Sequence, residues 1–144
     1  MKPYLLDVNV LIALAWPSHV HHQRSQKWFA RMHSTGFRTC PLTQTGFVRI
    51  SSNPSFTADA VLPGVALTLL ARVTALPSHE FWPADLTLAD AIGKTGSIVG
   101  HRQVTDAYLL ALARKRGGIL ATLDRGILAL AGPNLDAVEL LDRS

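Results

Sequence analysis

The chain has 144 residues, 48% apolar and 17% charged. This is enough to bury the core of one compact domain, residues 1–144, and it excludes a mainly disordered protein. The net charge of +4 suits an anionic partner such as nucleic acid or an acidic protein segment, and the single cysteine, Cys40, excludes an intramolecular disulfide framework and a cysteine-cluster zinc site.

A reducing cytoplasm is the expected setting. An acid at position 7 interrupts the first apolar run, so no secretory signal is expected. Apolar runs are too short to predict a membrane span.

The first apolar run, Tyr4-Leu5-Leu6, reads as a buried strand that stops at Asp7. Val8 to Trp16 is long enough for a helix, which Pro17 ends. Ser18 to Met32 is more polar, with Trp28, Phe29 and Met32 at helical spacing. Arg24, Lys27 and Arg31 share one face of that segment, either as an ordinary solvated face or as a phosphate-contacting rim. His19, His21 and His22 are surface or helix-start residues, because their spacing does not converge them on one metal ion.

Gly36 to Cys40 is the second strand, ended by Pro41. A helix over Thr43 to Ile50 follows, with Thr43 as its cap, then a turn cluster from Ser51 to Ser55. Ala58 to Leu76 is a helical stretch whose stripe of Leu62, Val65, Ala66, Leu69, Leu70 and Val73 serves as core or as a partner surface. Pro63 kinks this stretch or lies near its start. Glu80-Phe81-Trp82 is the third strand, Thr87 to Ile92 a short helix capped by Thr87, and Gly93 to Gly100 a loop.

Thr105 to Arg116 is the clearest helix. Thr105 is its expected cap, Asp106 lies in the first turn where the helix dipole favours a carboxylate, and Gly117 is the stop. Ile119 to Thr122 is the next strand and leads to Asp124, repeating the strand-then-acid arrangement of Leu5-Leu6-Asp7. A helix over Arg125 to Ala131 and a strand over Ala137 to Leu141 close the chain. Strands alternating with helices predict an α/β fold, a parallel sheet with helices on both faces.

Asp7, Asp106 and Asp124 stand apart among the ten acids. Two follow apolar strands, and the third opens the helix before the strand that reaches Asp124. Asp59, Asp136 and Asp142 fall in turns or at the chain end, and Glu80, Asp85, Asp90 and Glu139 show no obvious partner. Asp106 can be read as a dipole partner alone and Asp124 as a turn acid alone, but a joint site is favoured over coincidence. Three carboxylates brought together repel and raise one another's pKa, and a divalent cation relieves that repulsion. Mg²⁺ or Mn²⁺ takes oxygen ligands and keeps waters that can be activated against a phosphodiester.

At these residues the chain resembles the PIN-domain ribonucleases, specifically VapC-type toxins of bacterial toxin–antitoxin pairs. The likeness lies in Leu6-Asp7-Val8-Asn9-Val10-Leu11-Ile12-Ala13-Leu14, in Cys40 to Arg49 with Ser51-Ser52-Asn53-Pro54, in Thr105 to Ala113, and in Leu120 to Gly126. Four such segments in order span almost the whole chain.

The resemblance implies a three-layer α/β/α PIN-like domain with a central parallel sheet. It implies a Mg²⁺- or Mn²⁺-dependent endoribonuclease acting on structured RNA of the tRNA or rRNA class, with Asp7, Asp106 and Asp124 holding the metal. Asn9 and Thr122 would orient carboxylates, water or phosphate. Arg24, Lys27, Arg31, Arg49 and Arg102 would be phosphate contacts. A cognate antitoxin would lay an apolar helix on the early helices, and a homodimer is expected. One position departs from the pattern: Gln44 stands where the family usually has glutamate, which keeps a carbonyl oxygen and loses a charge. A second reading is therefore a PIN-like module that binds RNA or a partner with little chemistry. A small phosphohydrolase or phosphoacceptor domain is a third, disfavoured because Asn9 stands where the first of these needs a second aspartate and no adjacent acidic pair accompanies Asp7.

Overall fold

A computed structural model of the chain describes residues 1–93, 98, 100–132 and 135–141, with Arg102 described in its backbone only. Among the described residues five strands form one sheet: β1 Tyr4–Leu6, β2 Phe37–Thr39, β3 His79–Phe81, β4 Ile119–Thr122 and β5 Val138–Leu140. Their order is β3-β2-β1-β4-β5, and every pairing is parallel. The helices are α1 Val8–Ala15, α2 His22–Met32, α3 Pro41–Ser51, α4 Pro63–Thr74, α5 Leu88–Gly93, α6 Val104–Lys115 and α7 Ile127–Ala131.

Successive strand residues point to opposite faces of a sheet, so β1 divides its side chains between two cores. Tyr4 and Leu6 pack with Val10, Leu11, Phe47 and Leu70, on the side of α1 to α4. Leu5 packs with Trp82, Leu109, Leu110, Leu112 and Ile127, on the side of α5 to α7. The three layers expected from the sequence are present.

Several boundaries shift for local reasons. Pro41 opens α3 at a first-turn position where its missing N–H costs nothing, so Thr43 lies inside the helix instead of capping it. There the Cys40 N–H donates to Thr43 Oγ1 at 3.0 Å. Pro63 likewise opens α4, and residues 58–62 are not helical. Of the apolar stripe in this region, Ala66 and Leu70 are buried while Leu62 and Val65 are exposed. α2 begins at His22, and the preceding residues form turns in which His19 Nδ1 accepts the His21 N–H.

The third strand is one residue earlier than expected, which puts Trp82 just past its end, buried against the α6 side. α6 begins at Val104 after a single 3-10 turn, so Thr105 is not its cap, whereas Thr87 does accept the Asp90 N–H ahead of α5. Gly117 ends α6 with a φ of +68°, a backbone conformation that glycine tolerates readily. Most of the expected loop between Gly93 and Gly100 lies outside the described residues.

Three acids without an evident partner in the sequence do have one. Asp85 pairs with Lys115 and Arg116, Glu80 pairs with Arg38, and Glu139 accepts from Trp28 Nε1 and from the Tyr4 hydroxyl. Among the described residues no helix is long and apolar enough to cross a membrane.

Candidate active site

The chain builds the sheet outward from β1 in one direction through β2 to β3, then returns to add β4 on the other side. The strand order therefore reverses between β1 and β4. In open parallel sheets the crevice at the carboxyl ends of such strands is where ligands bind. β1 ends at Asp7 and β4 leads through Thr122 to Asp124, so both acids reach this crevice. The Asp7 N–H still donates to Ala121 O at 3.0 Å, which carries the strand pairing up to the acid itself.

Asp7 is 5% exposed and caps α1. Its Oδ1 accepts the Val8 N–H at 2.7 Å, and its Oδ2 accepts the Thr122 hydroxyl at 2.8 Å. Thr122 is 1% exposed, and its Oγ1 in turn accepts the Asp124 N–H at 3.1 Å. Asp124 is exposed, with Oδ1 accepting the Gly126 N–H at 2.8 Å. One threonine thus ties two of the acids to a common frame. Asp106 is half-buried in the first turn of α6.

Burial pushes the Asp7 carboxyl above the usual range, opposed by the hydrogen bonds from Thr122 and Val8 and reinforced by the charge of Asp124. Burial, then the charges of Asp7 and Asp124, push Asp106 up to about 7. Asp106 therefore lies near enough to Asp7 and Asp124 to feel both charges, and Asp7 feels that of Asp124. Among the described residues no three acid, histidine or cysteine side chains stand close enough to form a ready-made cation cage. The donor set is all oxygen and carries more negative charge than burial favours. That combination fits a hard divalent cation such as Mg²⁺ or Mn²⁺.

Asn9 is exposed in the first turn of α1, on the same crevice edge. Gln44 lies in the first turn of α3, beyond the end of β2, where its Nε2 donates to Thr39 Oγ1 at 3.0 Å rather than to an aspartate. Thr39 Oγ1 is also 2.8 Å from His79 Nε2. A hydroxyl has one proton to give. The arrangement in which Thr39 donates that proton to His79 Nε2 puts the imidazole proton on Nδ1 and leaves the ring free to donate to the Thr74 backbone. Burial, the largest influence on His79, holds its pKa below the usual range and favours this neutral ring. The chain Gln44–Thr39–His79 was not visible in the sequence, because its members are separated by 5 and 40 residues and none belongs to an acidic pattern.

Of the basic residues, Arg24 is half-buried with its guanidinium 3.4 Å from His21 Nδ1, and Lys27 and Arg49 are exposed. Arg31 lines a separate cavity with Trp28 and Glu139. Glu139 is bonded to Tyr4, the first residue of β1, so that cavity lies away from the acidic crevice. The side chain of Arg102 lies outside the described residues.

The PIN-domain family model matches residues 4–133. The chain belongs to the PIN-domain family. Within this family it is similar to ribonuclease VapC39 of Mycobacterium tuberculosis, 46% identical over 138 residues that cover 95% of this chain and 98% of that one. Ribonuclease VapC38 of the same organism is 48% identical over 127 residues, 88% of this chain and 89% of the relative. The VapC-type resemblance carried by the four motifs is borne out.

Solved PIN-domain structures share the fold at low identity. VapBC2 of Rickettsia felis, bound to a promoter DNA fragment, superposes with a TM-score of 0.66 at 13% identity, covering 96% of this chain and 98% of that chain. VapC20 of Mycobacterium tuberculosis, a toxin that cleaves the sarcin–ricin loop, gives a TM-score of 0.65 at 12% identity, covering 88% and 93%.

Proposed function

We propose that this PIN-domain protein is a Mg²⁺- or Mn²⁺-dependent endoribonuclease toxin that cleaves structured RNA and is held in check by a cognate antitoxin. The observation that carries the reading is the pair Asp7 and Asp124, both tied to Thr122 at the strand-order reversal, with Asp106 near enough to feel both charges. Asp7, Asp106 and Asp124 would hold the cation. When bound, that cation supplies charge neutralisation at the phosphodiester and a water acidic enough to act as nucleophile.

The chain's own contribution is orientation. Thr122 fixes the Asp7 carboxylate through Oδ2, and the Val8 N–H fixes it through Oδ1. Asn9 offers an exposed amide to substrate phosphate or water beside them. Arg24, Lys27 and Arg49 remain available for backbone phosphates, which would position RNA without reading its sequence. The names of the relatives support ribonuclease activity, and one structural neighbour is named for cleaving the sarcin–ricin loop.

The antitoxin is assigned to the groove of about 460 Å³ between α1, α2 and α4, lined by Leu14, Phe29, Ala30, Val73 and Leu76. Its apolar walls suit the hydrophobic face of a helix. Several structural neighbours are toxin–antitoxin complexes, which supports such a partner. A homodimer is the companion proposal. A catalytically weak RNA- or partner-binding module is the second reading, favoured by Gln44, whose amide is engaged with Thr39.

The deciding experiment is cleavage of structured cellular RNAs with Mg²⁺, with Mn²⁺ and with chelator, wild type beside Asp7→Asn. Metal-dependent cleavage that the substitution abolishes is expected. A folded, metal-loaded wild type that cuts nothing would leave the binding module.

A further inference from the structure

Asn9 and Ile12 lie at i and i+3 on one stripe of α1, and Trp16, the residue that caps its C-terminus, continues that line at i+7. The end of α3 and the loop beyond it lie against that stripe and close a cavity of about 320 Å³, whose walls include Asn9, Ile12, Trp16, His19, Ser51 and Phe56. This is at the small end of ligand pockets, which run from about 300 Å³. At one end is Asn9, two residues from Asp7. At the other is Trp16, seven residues on and about 10 Å further along the helix axis.

The lining has a particular chemistry. The Trp16 indole is held in place by its Nε1, which donates to Ser51 Oγ at 3.0 Å, while the residue stays only half-buried. Phe56 is 70% exposed, a phenyl ring with no core to join. Neither ring stacks on another aromatic side chain among the described residues. His19 is held below the usual imidazole range, first by burial and then by His21 and His22, and it lends the wall a neutral ring. Ser51, Thr57 and Asn9 add hydroxyl and amide groups. Aromatic faces with a few polar groups, in a cavity whose lining begins at Asn9 two residues from Asp7, match a nucleobase better than a purely apolar side chain.

We infer that this cavity is a subsite for one unstacked base of the RNA, the nucleotide adjoining the scissile phosphate, with Trp16 and Phe56 as its stacking surfaces. The inference rests on the ribonuclease reading and adds to it a determinant of substrate choice: RNA with a loop or bulge able to release a base is preferred over a continuous duplex.

The test uses Asp7→Asn protein with Mg²⁺ and single-stranded RNA octamers, so binding is seen without cleavage. Trp28 and Trp82 are buried, which makes Trp16 the indole a bound base can quench. Saturable quenching of tryptophan fluorescence is expected. An octamer of the same charge with abasic nucleotides should not quench. Adding Phe56→Ala should weaken octamer binding about 5- to 150-fold, the worth of one stacked base. That residue is exposed, so the fold should tolerate its loss.

Equal quenching by the abasic strand, or binding unmoved by Phe56→Ala, overturns the subsite. Cleavage assays with Asp7 intact separate the two failures. A Phe56→Ala protein that cuts looped RNA as fast as wild type removes the subsite and leaves the nuclease. A wild type that cuts nothing removes the nuclease, and the quenching then decides the base subsite by itself.

Discussion

Thr122 gives its single hydroxyl proton to Asp7 and accepts the N–H of Asp124, so one buried side chain sets the relation between two acids. Thr122→Val keeps the volume and removes both contacts. The expected cost is about 1–3 kcal/mol of stability, because Asp7 loses a partner while staying buried. Cleavage or metal affinity should fall about 10- to 100-fold, the usual effect of removing an orienting group. Urea denaturation and a metal titration check the two effects separately, and an unchanged metal affinity would argue that Thr122 only fills space.

Gln44 is held through its amide, which donates to Thr39 Oγ1. A carboxylate at this position has no N–H to donate, so Gln44→Glu should turn the Thr39 proton toward the new group. His79 would then have to donate from Nε2, and its pKa should rise toward the ordinary imidazole range. The restored charge should also tighten metal binding and raise cleavage on the order of tenfold where metal is limiting. Nitrogen chemical shifts of the His79 ring report the tautomer independently of activity. A ring that keeps its proton on Nδ1 would rule out this account of the chain of hydrogen bonds.

Among the elements, β1 and β4 were legible because they are largely buried and read as short apolar runs leading to an acid. The outer strand β3 was placed one residue late. Its residues are half-buried or exposed, so the sequence pattern pulled the strand toward the apolar Trp82. Prolines misled at α3, since Pro41 both closes a strand and opens a helix, and at α4, where only the second of two open positions for Pro63 is realised. Helix contacts left no pattern at all. A Cβ at Gly46 would lie 2.7 Å from Val8 Cγ2, so α3 approaches α1 through the missing side chain. Gly46→Ala should cost about 1–3 kcal/mol. Val8 adjoins Asp7, so activity measured on the folded fraction should drop as well; a variant that melts earlier but cuts normally would show that α1 yields without moving the acid.

Across the whole molecule, the three acids could be picked out in the sequence because the fold brings strand ends and a helix start to one edge. Their mutual repulsion was expected from the same pattern, but which acids it shifts was not legible, because burial is the largest cause. It has a consequence for stability. Asp7 and Asp106 titrate higher in the folded state than in the unfolded chain, Asp106 at about 7 against 3.8. Between these values the folded state holds more protons, so stability falls as pH rises from about 4 to about 7 and stays lowered above that. His19 and His79, both held below the usual range, act oppositely and weaken the fold as pH falls through about 6.5. Asp106→Asn separates the two trends. In metal-free protein it should stabilise the fold at pH 8 by on the order of 1–2 kcal/mol, a figure reduced for solvent screening at a partly exposed carboxyl, and do little at pH 4.5. Mg²⁺ should stabilise wild type at pH 8 more than at pH 5, since cation and protons compete for the same carboxylates. Thermal melts at the three pH values, with and without Mg²⁺, check both expectations. An Asp106→Asn protein no more stable than wild type at pH 8 would mean that the aspartates do not strain one another, and the electrostatic case for a cation among them would fall with that result.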